Sequence, residues 1–127
     1  MKTKQIITGL IFCLTLFSLQ MALAAASSAT KTMAGILVNL NHYPSDAEKE
    51  TLKKLTKDAA TTDAEKTIAT AMVNLEHTAT TDDKQKLSKI MSDNGAPGPV
   101  RTLAEIVHSL NHKPSDSDKQ KLKEIMK

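Results

Sequence analysis

Apolar residues fall along this chain in a helical rhythm that returns every 35 residues. Met33, Ile36, Leu37 and Leu40 mark one stripe, Ile68, Ala71, Met72 and Leu75 a second, and Leu103, Ile106, Val107 and Leu110 a third. Each has the i, i+3, i+4, i+7 spacing of an amphipathic helix that turns one face to a core. A more polar segment follows each stripe. Leu52 and Leu55, then Leu87, Ile90 and Met91, then Leu122, Ile125 and Met126 are set there among Lys, Glu, Gln and Asp. About six short helices are predicted, two to a unit.

The junction inside each unit repeats almost letter for letter. Leu40-Asn41-His42-Tyr43-Pro44-Ser45-Asp46 returns as Leu110-Asn111-His112-Lys113-Pro114-Ser115-Asp116, with a looser copy at Leu75-Glu76-His77-Thr78-Ala79-Thr80-Thr81. Proline pushes the residue before it out of the helical region, so the first helix of a unit ends here. Ser45 is then a natural N-cap with Glu48 three residues on, and Thr80 with Asp83 and Ser115 with Asp118 follow the same scheme. Thr62 with Glu65 offers a further cap. Asp93-Asn94-Gly95-Ala96-Pro97-Gly98-Pro99 reads as a true break between units, and any hinge is expected there.

An all-α fold follows: three tandem 35-residue helical hairpins forming a compact bundle or a short α-solenoid. Three hairpins are few for an open array, which favours the bundle. The period is near that of tetratricopeptide repeats, but the Trp, Gly, Tyr and Pro positions of that pattern are missing. The organisation expected is a signal peptide at 1–24, a flexible leader at 25–31 and one helical-repeat domain at 32–127, with repeats at about 32–58, 67–93 and 102–127. No capping helix is visible at either end, which leaves the outermost apolar stripes without an obvious cover.

The signal peptide rests on Met1-Lys2-Thr3-Lys4, the apolar run from Ile6 to Leu19, and Ala22-Leu23-Ala24 as a cleavage site after Ala24, with Ala26 as the next choice. The run is short for a transmembrane span. Cys13 lacks the small residues before it that a lipoprotein site needs. An exported, periplasmic protein without stable membrane insertion is expected. Cleavage would remove the chain's one Cys and both Phe, leaving Tyr43 as the sole aromatic. Lys2 and Lys4 would go too, so the formal charge of +3 falls by two. With charge near balance and no aromatics to stack bases, nucleic-acid binding is disfavoured.

Candidate chemistry centres on histidine. His42, His77 and His112 hold the same place in every unit. A structural role, bonding the free carbonyls of a helix end, is the first reading, and a pH-responsive role of three equivalent imidazoles is another. The sharper one is a shared transition-metal or haem site, because neutral imidazole is a common metal ligand. A linear stack would hold the three roughly 10 Å apart, whereas turns gathered about a three-fold axis would bring them together. His108 stands four residues before His112, an i, i+4 pair on one helix face with a spacing able to chelate Zn, Ni or Cu. Asn41, Glu76 and Asn111 read as turn residues. Ser45 and Ser115 are explained by capping, and no nucleophile elbow is present, so an enzyme is not expected. The first functional expectation is a non-enzymatic protein that binds a protein or peptide in the periplasm, or itself as a homodimer, in envelope stress or regulation. A metal- or haem-binding protein using His42, His77 and His112, with His108 auxiliary, is the alternative.

Overall fold

Six helices form where the stripes place them: α1 (Ser28–Val38), α2 (Asp46–Lys57), α3 (Asp63–Val73), α4 (Thr81–Ser92), α5 (Gly98–Ser109) and α6 (Asp116–Met126). The computed structural model describes residues 25–127, and the expected signal peptide lies outside them. The fold of the described residues is an all-α bundle. The first helices open at residues 28, 63 and 98, four residues ahead of the expected repeat starts, and keep the 35-residue interval.

The early start of α1 corrects the expectation of a flexible leader at 25–31. Ser27 is its N-cap and accepts the Thr30 N–H at 3.0 Å, which satisfies a donor that an uncapped helix end would leave open. Ser27 stands one period before Thr62, the cap of α3. Ser45, Thr80 and Ser115 cap α2, α4 and α6 as predicted, with reciprocal capping boxes at Ser45–Glu48 and Ser115–Asp118. Thr62 and Glu65 make a third.

Packing runs between units more than within them. The closest helix pairs are α2 with α3, α4 with α5, and α6 with α1, while the two helices of one unit touch less. The last pair closes the series into a ring. A Cβ placed on Gly35 of α1 would meet Met126 Sδ of α6 at 3.7 Å, so the stripes expected to lie uncovered at the two ends cover each other. α1, α3 and α5 form the inner layer. Met33, Ile68 and Leu103 occupy equivalent positions and are fully buried, as are Ala34, Ala69 and Ala104. The small alanines let the inner helices approach closely.

The inner helices run parallel between two poles. Their N-terminal ends meet around one small cavity that Ser27, Thr62 and Pro97 all line. The segments following their C-termini meet at the opposite pole. The link expected to act as a hinge takes the same turn as its counterpart: Asp93 Oδ1 accepts the Gly95 N–H at 2.8 Å, and Asp58 Oδ1 accepts the Ala60 N–H at 2.9 Å. No helix among the described residues is long and apolar enough to cross a membrane.

Candidate metal centre

Each histidine sits at the crest of a loop pinned on both sides. Leu40, Leu75 and Leu110, two residues before the histidines, are buried although the helices have already ended. Pro44, Ala79 and Pro114, two residues after, are buried as well. The residues between are exposed, so hydrophobic anchoring at both feet lifts each imidazole into solvent.

Ring closure brings the three crests together. Ring centroids lie 5.7 Å apart for His42–His77, 5.3 Å for His42–His112 and 4.7 Å for His77–His112. One nitrogen from each lies within 4.8 Å of the other two, and all three residues are exposed. Main-chain bonds lock the loops to one another: the His42 N–H donates to the His112 carbonyl and the His112 N–H to the His77 carbonyl, both at 2.8 Å. The arrangement is the three-fold one, and the linear stack with its wide spacing is excluded.

The backbone at the crests is held in a costly conformation. His42 has φ 112° and His112 φ 66°, the positive-φ non-glycine residues of the described chain. The Lys113 N–H donates to the Asn111 carbonyl at 2.8 Å, closing a three-residue turn about His112 in its rare positive-φ form. Such conformations cost on the order of 1–3 kcal/mol each and persist where the surroundings over-determine them. Glycine would remove that cost, yet both positions carry an imidazole.

Hydrogen bonding selects the tautomer. His112 Nδ1 lies 2.7 Å from Asn111 Oδ1, and His42 Nδ1 contacts the Asn41 carbonyl oxygen. Both partners are acceptors, so in the neutral ring Nδ1 carries the proton and the Nε2 lone pair is left free. This is the outer-shell arrangement that orients metal-ligating histidines. The rings do not bond the last carbonyls of α1 and α5, as the helix-end reading expected. Asn111, expected as a turn residue, opens the turn about His112, and its side chain also meets the imidazole.

Three neutral imidazole nitrogens suit Zn, Cu(II), Ni or Co better than Mg or Ca. Bonds of about 2.0–2.1 Å place tetrahedral ligand nitrogens roughly 3.3 Å apart. The exposed rings therefore need to draw in by about 1 Å, a side-chain adjustment. Three protein ligands leave a tetrahedral ion one position for water or another donor. A haem does not fit here, because a porphyrin needs an apolar slot and the residues at the three crests are exposed. The hollow beside His77 is lined by polar groups, among them Asn74, Glu76, Thr78 and Thr80.

His108 is not part of the cluster. α5 ends at Ser109, so the chain has left the helix before His112 and the i, i+4 relation does not exist. His108 is half-buried on α5.

The opposite pole holds a group that repeat reading passed over as a capping residue. Glu65 is only 2% exposed. Its Oε1 accepts from Thr30 Oγ1 at 2.7 Å and from the Ser27 hydroxyl, and its Oε2 from the Thr62 N–H and hydroxyl, each at 2.9 Å. Burial works against the charged form. The bonds from Ser27, Thr62 and Thr30 outweigh it and hold the carboxyl below its ordinary range. Equivalent positions carry Thr30 and Val100, so the departure from the repeat was the visible signal.

No protein-family model matches this chain, and comparison with curated proteins and with solved structures found no match.

Proposed function

We propose that this chain is a metal-binding protein of the periplasm that takes up one divalent transition ion between His42, His77 and His112. The observation that carries the reading is the convergence of three solvent-facing imidazoles contributed by three different loops, two of them, His42 and His112, oriented by a contact at Nδ1. Its support is strengthened by the positive φ at His42 and His112, a cost that a merely structural turn would shed by using glycine or asparagine. The chemistry is ligation rather than turnover: neutral nitrogens donate lone pairs, and the remaining positions stay open to solvent or to an exchanging donor. An exposed, three-ligand site suits reversible uptake and release better than a buried four-ligand structural site does.

The expectation of a protein partner or homodimer drew in part on uncovered apolar stripes at the two ends, where α6 packs on α1.

The test is titration of the untagged chain with Zn²⁺, Ni²⁺ or Cu²⁺ by calorimetry or against a chromophoric chelator. One equivalent should bind in the native chain and in His108→Ala, and none at the same concentration in His42→Ala/His77→Ala/His112→Ala. Equal binding in the triple variant would overturn the reading.

A further inference from the structure

We propose that cleavage after Ala24 completes an ion pair, in which the new α-ammonium of Ala25 enters the cavity at the N-terminal pole and neutralises the buried carboxylate of Glu65. Glu65 is ionised and nearly inaccessible, yet its partners are hydroxyls and one backbone N–H, all neutral. The ion pairs among the described residues do not include it. Charges this deeply buried are ordinarily paired. The N-terminal ends of three helices lend partial positive charge at this pole, but no formal counter-charge.

Beside the carboxylate lies a cavity of about 130 Å³ whose walls include Glu65, Ser27, Pro97 and Val100, together with Ala25 and Ala26. The residue that becomes the terminus is thus already at its edge. Ala25 stands two residues before Ser27, whose hydroxyl donates to Glu65. Two Cα steps of about 3.8 Å each bring its nitrogen within reach of the carboxylate.

In the uncleaved chain the nitrogen of Ala25 belongs to a peptide bond and carries no charge. The pair therefore exists only after processing at the site that Ala22-Leu23-Ala24 predicts. The precursor is the less stable form, which suits a chain that must be threaded across a membrane unfolded, and the fold tightens once the leader is gone. Glu65 breaks the repeat for this reason: the pole needs one anion for one ammonium, and Thr30 and Val100 fill the equivalent places.

The experiment expresses the full 127-residue chain in an exporting bacterium and recovers the processed protein. Intact mass reads the terminus; the α-amine is then selectively acetylated, in the native chain and in Glu65→Gln. The terminus should be Ala25. Acetylation should lower Tm by about 5 °C in the native chain and by less than about 1 °C in Glu65→Gln. By NMR titration the native amine should lose its proton above the ordinary α-amino range of about 7.7–8.0. A start elsewhere, equal losses on acetylation, or an amine titrating in the ordinary range would each overturn the proposal. If Glu65→Gln does not fold, the native amine titration decides alone.

Discussion

The backbone N–H of His112 donates to the carbonyl of His77 at 2.8 Å, although the two residues stand 35 positions apart in the equivalent loops of successive units. Together with the bond from His42 to His112, it makes the proposed metal ligands part of the main-chain scaffold. The imidazoles are brought together before any ion arrives, so less ordering remains to be done on binding. Losing one ligand should weaken binding far more than it disturbs the fold. His77→Ala is expected to reduce Zn²⁺ affinity by at least about 100-fold, a coordination bond being worth several kcal/mol, with a Tm change in the apo form of less than about 3 °C. Calorimetry and thermal unfolding of the same sample check both halves.

Backbone conformation offers a sharper separation of ligand and scaffold. His42→Gly and His112→Gly relieve positive-φ positions, and each should stabilise the apo chain by about 1 kcal/mol while removing a ligand. The signature is a raised apo Tm with lost Ni²⁺ or Zn²⁺ binding. A lowered Tm would mean that the imidazoles hold the loops together.

Protons and metal compete for the same nitrogen lone pairs, so affinity should fall steadily as the solution is acidified, with proton release on binding at a given pH. Isothermal titration in buffers of different ionisation enthalpy counts those protons. Tyr43, exposed and next to His42, provides a second readout: Cu²⁺ should quench its emission in the native chain and not in the triple histidine variant.

Glu65 makes stability itself acid-sensitive. Its folded pKa is lowered relative to the ordinary value of 4.5, so its contribution is complete above about 4.5 and disappears as the pH falls through the folded value. Tm should decline through that window in the native chain, and Glu65→Gln should flatten this part of the curve. Near neutral pH, Glu65→Ala should cost about 2–3 kcal/mol because it strands the hydroxyls of Ser27, Thr30 and Thr62.

Capping is expected to contribute locally and additively. Ser45→Ala and Ser115→Ala each remove an acceptor for an orphan N–H, that of Glu48 at 3.3 Å and that of Asp118 at 3.1 Å. Each should cost about 1 kcal/mol, and the double variant should lose the sum, because the sites share no partner. Urea midpoints at constant slope measure this.

The local levels of the structure were legible because they depend on neighbours in the chain. The stripe through Ile68, Met72 and Leu75 and the caps at Ser45, Thr80 and Ser115 are set by residues three or four apart. The seating of α6 on α1 is a contact between the two ends of the chain, for which periodicity carries no signal. A wide spacing and a tight cluster of histidines are therefore equally compatible with the repeat. His108 misled for a related reason: i, i+4 logic presumes a continuing helix, and α5 stops at Ser109. Ser27 went unrecognised as a cap because the interval was counted from apolar residues rather than from helix starts.

Ring closure also settles how many units this architecture can hold. An open array tolerates one more or one fewer, since each repeat touches only its neighbours. In a closed ring the inter-unit angle is shared by all three joints, and a fourth unit would have to widen every one of them and draw the histidine crests apart. Repeat number and the number of converging histidines are here the same integer, so duplicating or deleting a unit would change the donor count of the proposed site and dismantle the shell that assembles it.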